Sequence, residues 1–127
     1  MNMSITEVEQ KRFVDIQDLV ILAQIHDNDP KIVDGVLNEM IDYAWDHFKV
    51  EEAYMLKFKY PDYKQHKEEH LDFVLKALSY YNRVDGCDYQ ILNEVREYLE
   101  QWQINHIQGT DRKYVLDEKQ NTLFVDN

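Results

Sequence analysis

Hydrophobic residues recur at spacings of three and four along four stretches of this chain, which is the period of an amphipathic α-helix. Polar or proline-containing breaks separate the stretches, and such short connections make sequential helices antiparallel neighbours. The pattern predicts an all-α, up-down-up-down four-helix bundle. Its helices are expected from Ser4 or Thr6 to His26 (A), from Pro30 to about Tyr60 (B), from about Asp62 to Asp85 (C) and from about Asp88 to Gly109 (D).

Composition supports the helical prediction and a single domain. Three glycines and two prolines in 127 residues disfavour a turn-rich β fold and favour long helices with short connections. The length is sufficient for one domain with a real core. We expect the bundle to occupy residues 1–116, followed by a polar tail at 117–127.

Charge and cysteine content exclude several classes of protein. The net charge is -11, and no stretch of the chain resembles a basic stripe that could bind nucleic acid. Cys87 is the only cysteine, which excludes an internal disulfide and cysteine-based zinc sites. No apolar run has the length of a signal peptide or a membrane span. These absences lead to the expectation of a soluble, cytoplasmic monomer without a membrane or nucleic-acid partner.

Ionisable residues interrupt the predicted inner stripe of every helix. On helix A, Asp18 shares the stripe that we assign to Val14, Ile21 and Ile25. A lone buried polar group costs about 1–3 kcal/mol, so several at one level of a bundle need mutual compensation, which a metal ion supplies. His26 lies next to the break after helix A and is left out of the site. The predicted metal-binding set is Asp18, His47, Glu51, His66, His70, His106 and Asp111.

The spacing of these residues resembles the hemerythrin family, and most closely its bacterial members. The resemblance covers roughly Val14 to Tyr114. It is carried by three motifs: His47-Phe48-Lys49-Val50-Glu51-Glu52, Tyr60-Pro61 followed by His66 and His70, and His106-Ile107 followed by Asp111.

The resemblance implies two non-haem iron ions with an oxo or hydroxo bridge, also bridged by the carboxylates of Glu51 and Asp111. It further implies that His66, His70 and His106 bind one iron. His47 would bind the other, which in the family keeps a position open for dioxygen. Imidazole and carboxylate ligands suit iron, although zinc and manganese fit them as well.

Two positions depart from the family pattern, both near the open iron. Where the family has D-x-Q-H in the first helix, this chain has Asp15-Ile16-Gln17-Asp18, so aspartate replaces a histidine ligand. Gln103 stands where the family usually has leucine. Asp18 could bind the metal directly, bind it through a water, or leave the position vacant and hydrogen-bond to Gln103.

Three functions follow as hypotheses. The first is a non-haem di-iron protein that binds dioxygen or a related small molecule for storage, delivery or sensing, with Gln103, Trp102 and Met55 in its pocket. The second is a di-iron oxidase or peroxidase whose site is enriched in polar groups by Asp18 and Gln103. The third is a helical interaction module with a vestigial site. Whether the protein is an enzyme stays open at this point.

Overall fold

Four helical rods form the part of the chain that the structure, a computed structural model, describes, namely the backbone of residues 5–110 and the side chains of residues 10–106. The second rod spans residues 30–57 and contains a π-helical segment. It continues through that segment without a break, since the junction residue Ala44 keeps right-handed helical angles (φ -62°, ψ -47°). The predicted all-α four-helix bundle is confirmed. Its elements are α1 (Ile5–Ile25), α2 (Pro30–Tyr43), π1 (Ala44–Phe48), α3 (Lys49–Lys57), α4 (Tyr63–Asp85), α5 (Leu92–Trp102) and π2 (Gln103–Thr110).

The turn between α1 and α2 follows directly from its residues. Asp27 and Asn28 adopt left-handed backbone angles (φ 54° and 59°), which aspartate and asparagine tolerate better than most residues. Asp29 then caps α2 by accepting a hydrogen bond from the Lys31 amide at 2.9 Å. Pro30 takes the first helical position, where its missing N–H costs nothing. The predicted break at this point is confirmed.

The other two breaks also fall where the sequence indicated. The connection from α3 to α4 contains Tyr60-Pro61, and α4 ends at Asp85, directly before Gly86. Helix α5, however, begins at Leu92, four residues later than expected from Asp88. Asp88 instead accepts two hydrogen bonds from the Arg83 guanidinium, at 2.8 and 3.0 Å, which hold the connection against the end of α4.

The core lies along the bundle axis between the rods. Helix α1 packs on α2 and on α5, and α2 packs on α4. Aromatic rings join the rods at mid-height, where Phe73 of α4 contacts Tyr43 of α2 and Trp102 of α5 at centroid distances of 5.5 and 4.8 Å. The largest fully buried apolar side chains are Tyr43, Phe13, Phe73, Ile16, Leu37, Met40, Met55, Ile91, Leu92 and Leu99.

The predicted inner face of α1 is wrong. Val14, Ile21 and Ile25 are 45%, 47% and 70% exposed. The buried face instead carries Phe13, Ile16, Val20 and Ala23, each at most 1% exposed. Apolar residues stand on nearly every side of α1, so the helical period alone does not select which side packs inward. The side that packs inward is the one whose Phe13 and Ile16 belong to the buried core, where the Phe13 ring lies 6.0 Å from that of Tyr43.

Two surface features bear on expectations from the sequence. Cys87 is exposed and free in the connection between α4 and α5. Within the described residues, no helix combines the length and the apolar character needed to cross a membrane.

Candidate metal centre

Three imidazoles and one carboxylate meet in the bundle core. His66 and His70 lie one helical turn apart on α4, so both side chains project from the same face. Glu51 in the first turn of α3 and His106 in π2 face them from two other rods. All four side chains are at most 2% exposed. One ligand atom from each lies within 4.8 Å of those of the other three.

The two π segments position two histidines, one from the second rod (α2, π1 and α3) and one from the fourth rod (α5 and π2). His47 lies in π1 and His106 lies in π2. A π-helical turn contains an additional residue, which rotates the following side chains relative to an ideal α-helix. Such segments occur frequently at functional sites, and here both coincide with predicted ligands. The sequence pattern did not indicate either segment.

Carboxylates lie next to the Nδ1 atoms of two of the imidazoles and orient their rings. Glu52 Oε2 lies 3.1 Å from Nδ1 of His70, and Glu69 Oε1 lies 3.2 Å from Nδ1 of His106. Each carboxylate accepts a hydrogen bond when Nδ1 carries the proton, which leaves Nε2 of the same ring available for a metal ion. Nε2 of His70 accordingly lies 3.3 Å from Oε1 of Glu51.

Glu52 and Glu69 were missed from sequence. The Glu52 side chain is only 22% exposed and contacts His70, although the sequence did not indicate Glu52 as a site residue. Burial raises the pKa of the Glu52 carboxyl, while Lys67 and His66 act in the opposite direction. A signal was available: both glutamates directly adjoin a predicted ligand, namely Glu51 and His70.

Aromatic rings enclose the imidazoles. The Phe48 ring stacks on His70 at 3.9 Å between centroids and 3° between planes. Trp102, predicted for the pocket, stacks on His106 at 4.0 Å and 15°. Met55, also predicted for the pocket, is fully buried but packs with Tyr60, whose ring centroid is 6.4 Å from that of His66. These contacts restrict ring motion and keep water away from the imidazoles.

The four-residue group fits a transition-metal ion. Metal–nitrogen and metal–oxygen bonds are about 2.0–2.2 Å long, so ligands on opposite sides of one ion are separated by about 4 Å. Separations of up to 4.8 Å need only a small contraction to match. Imidazole with carboxylate suits iron, zinc or manganese, and the carboxylate offsets part of the charge of the ion. The residues present therefore fit at least one ion of the predicted pair.

His47 has a different environment from the other histidines. Its side chain is 9% exposed, and its Nε2 lies 3.4 Å from Nη1 of Arg12 on α1. Burial lowers the pKa of His47, and the nearby Arg12 lowers it further. Arg12 also pairs with Asp46 at 2.5 Å and with Glu39 at 3.8 Å. The sequence pattern did not indicate this guanidinium beside the predicted ligand of the second iron.

Two of the remaining predicted residues, Asp18 and Gln103, do not belong to the four-residue group. Asp18 is exposed on α1, in accordance with the rotation of that helix relative to the prediction. Gln103 is half-buried and accepts a hydrogen bond from Nε2 of Gln17 at 3.3 Å, so its amide pairs with Gln17. Asp111 lies outside the described residues.

The sequence model of the family described as hemerythrin HHE cation binding domain matches residues 5–115 of the chain. The chain belongs to the hemerythrin family. A bacteriohemerythrin from Stenotrophomonas maltophilia is 30% identical to this hemerythrin over 116 residues, which cover 90% of this chain and 74% of the relative.

Eukaryotic relatives match a shorter stretch of this hemerythrin. A hemerythrin-like protein of Naegleria gruberi is 37% identical over 80 residues, and myohemerythrin-1 of Phascolopsis gouldii is 34% identical over 80 residues. Each match covers 63% of this chain and about 60% of the relative. Hemerythrins bind a di-iron centre and take dioxygen as a small ligand. Membership therefore places this hemerythrin among non-haem di-iron proteins that bind or sense dioxygen.

The contact between Glu52 and His70 gives a first prediction. We expect Glu52→Gln to weaken binding of the first metal ion by about 10–100-fold, because loss of an orienting carboxylate makes the imidazole a poorer donor. Competition titration with a chromophoric chelator and Co²⁺ measures the change. Glu97→Gln, at an exposed position of α5, is the control and should match the wild type. Equal affinities for Glu52→Gln and the control would contradict the orienting role.

Proposed function

We propose that this hemerythrin binds dioxygen or a related small molecule at a non-haem di-iron centre, for storage, delivery or sensing. The observation that carries the proposal is the buried group of Glu51, His66, His70 and His106, with ligand atoms within 4.8 Å of one another. Four ionisable side chains this deeply buried need mutual compensation, and a bound cation supplies it.

The ligand assignment is part of the proposal. His66, His70 and His106 would bind one iron, His47 would bind the other, and Glu51 and Asp111 would bridge the two. Iron supplies the redox chemistry by which dioxygen is bound. The protein contributes three things: fixed imidazoles, a bridging carboxylate, and aromatic walls that exclude water. Phe48 and Trp102 perform the last task where they stack on His70 and His106.

Iron analysis and rapid mixing test the proposal. After expression in iron-replete medium, the protein should hold two irons per chain, and the reduced protein mixed with dioxygen should develop a visible absorption band that disappears when dioxygen is removed. Prompt conversion to the oxidised protein, with turnover of peroxide, would instead identify an oxidase or peroxidase. Failure to retain iron would identify an interaction module with a vestigial site.

The exposure of Asp18 changes what its replacement should do. A histidine introduced at an exposed position of α1 would stay in water, so we expect Asp18→His to leave the rate of autoxidation within about twofold of wild type. Following the decay of the oxygen-dependent absorption band measures that rate. A large decrease in autoxidation would mean that residue 18 reaches the metal centre, as the family pattern suggests.

Arg12 gives a prediction about the second iron. A unit charge about 4 Å away interacts with roughly 4 kcal/mol at an effective dielectric constant of 20, and exposure to solvent reduces this value. The partial exposure of Arg12 reduces its repulsion of the second ion. We therefore expect Arg12→Gln to strengthen binding of that ion by about tenfold. Stepwise metal titration measures it, with the first ion as internal reference.

Arg83→Gln provides the matched control for this charge change. Arg83 also pairs with carboxylates, but it does so at the connection between α4 and α5. If both arginine variants strengthen second-ion binding equally, the effect is one of net charge and the local role of Arg12 is refuted.

The finer expectations from the sequence stay predictions. They are a monomeric state, a cytoplasmic location and no nucleic-acid or membrane partner. Sedimentation velocity of the iron-loaded protein measures the first of them directly.

A further inference from the structure

A cavity opens beside His70, a member of the four-residue group. It is a cleft of about 660 Å³ between the second rod and α4. Its walls are almost entirely apolar, and two of its wall residues, Trp45 and Leu71, are 65% and 57% exposed. The apolar lining consists of Ile41, Ala44, Trp45, Phe48, Leu71 and Val74. The volume falls in the range of about 300–1,000 Å³ that is typical of small-molecule sites.

Three lysines, called the rim below, are among the residues that line this cleft. Lys49, Lys64 and Lys67 line it together with the carboxylates of Glu52 and Glu68. Nζ of Lys49 lies 3.5 Å from the centre of the Trp45 ring, which holds that ammonium group at the rim by a cation–π contact. The Glu52 carboxylate is engaged by His70. Together these side chains carry three positive and two negative formal charges, a small positive excess in a chain whose net charge is -11.

We infer that this lysine-rimmed cleft binds a single-chain amphiphile with a carboxylate head group, of the fatty-acid class. The apolar walls accommodate a hydrocarbon chain, and the rim ammonium groups pair with the carboxylate. An uncharged apolar molecule would leave the lysines without a ligand contact. A polar anion would leave the apolar walls of the cleft exposed to water. The inference is independent of the iron centre, since every group that it uses is supplied by the protein.

The cleft also contacts the metal centre. Phe48 and His70, which stack on each other at 3.9 Å, both line it, as does Glu52, which contacts Nδ1 of His70. A hydrocarbon chain packed on Phe48 would exclude water from the bond between Glu52 and His70. Occupation of the cleft should therefore change the absorption spectrum of the iron-loaded protein, an effect that does rest on the proposed function.

Calorimetric titration of the 127-residue chain with decanoate, below its micelle concentration, tests the inference. We expect one site per chain, in metal-free as well as iron-loaded protein. Each methylene contributes about fourfold to affinity, so octanoate should bind about sixteenfold more weakly than decanoate. The double variant Lys64→Gln and Lys67→Gln should weaken decanoate binding about tenfold and leave the binding of 1-decanol unchanged.

A pair of exposed leucines on α4 supplies the matched control. Leu71 lines the cleft and Leu75 does not, while their exposures are 57% and 56%. Leu71→Glu should abolish decanoate binding, and Leu75→Glu should retain it. Circular dichroism verifies that both variants keep their helices.

Four results would overturn the inference. Equal effects of the two leucine substitutions, or affinity that does not depend on chain length, would mean nonspecific adsorption. Sedimentation velocity that reveals a dimer dissociated by Leu71→Glu would assign the cleft to a second copy of the chain. Decanoate binding that appears only after deletion of residues 117–127 would assign it to the chain's own tail.

Discussion

Replacing His66 by alanine should strongly weaken the binding of the first metal ion by this hemerythrin. His66 is completely buried, and its ring centroid lies 4.6 Å from that of His70 and 4.7 Å from that of His106. Structural zinc sites with four ligands have apparent binding free energies of about 10–16 kcal/mol, so by analogy one ligand accounts for about 3 kcal/mol. We therefore expect affinity to fall by at least about a hundredfold.

Two measurements distinguish the loss of a ligand from the loss of the fold. Competition titration gives the affinity, and thermal unfolding with and without metal gives the stabilisation by binding, which is about 4 kcal/mol at a thousandfold excess over Kd. At the same metal concentration, a hundredfold loss of affinity should reduce this stabilisation to about 1.4 kcal/mol in His66→Ala, which should keep its helical circular dichroism. His26→Ala is the control because His26 is exposed at the end of the first rod. Metal-dependent stabilisation of His66→Ala equal to that of this control would contradict the ligand role.

Much of the bundle could be predicted because its breaks have local chemical causes. Asp29-Pro30 caps and starts a helix, Tyr60-Pro61 cannot continue one, and Gly86 follows the last residue of α4. The four residues of the buried group were equally accessible from sequence. Their spacing on amphipathic helices places them inward, and an inward ionisable residue needs a partner.

The features that escaped prediction depend on tertiary packing. The rotation of α1 is undetermined by sequence because Val14, Ile21 and Ile25 are as apolar as the residues that pack inward. The π segments at His47 and His106 leave no mark in a hydrophobic period of 3.6 residues. Long side chains add a further uncertainty, since Arg12 reaches His47 from another rod. Its position depends on the rotation of α1.

The rotation of α1 also affects the interpretation of the departure at Asp18. In the family pattern, residue 18 belongs to the second iron, whereas here α1 presents Arg12 to His47 and Gln17 to Gln103. A guanidinium beside His47 disfavours a second cation. Arg12 has two carboxylate partners, Asp46 and Glu39, toward which it can withdraw. If His47 binds the second ion, as we propose, the affinity for that ion would be set by a competition between the ion and Arg12 for His47.

Phe73→Ala should be the most destabilising single truncation in the core. Phe73 is fully buried, and its ring contacts Tyr43, Phe48 and Trp102 at centroid distances of 5.5, 5.4 and 4.8 Å. Removing a buried phenyl group costs about 3–5 kcal/mol, because burial is lost and a cavity remains. Domains of this size are stable by about 5–15 kcal/mol in total. The substitution therefore removes a large share of the free energy of unfolding.

Urea unfolding in the presence of a chelator measures this loss without a contribution from metal. Leu75→Ala is the matched control on the same helix, because Leu75 is 56% exposed and its truncation should cost less than about 1 kcal/mol. A loss below about 1 kcal/mol for Phe73→Ala would mean that the neighbouring rings close the cavity. Such closure would displace Phe48 and Trp102, the rings stacked on His70 and His106. In that case Phe73→Ala should bind metal more weakly. The metal affinity of this variant therefore distinguishes a core that keeps the cavity from one that collapses into it.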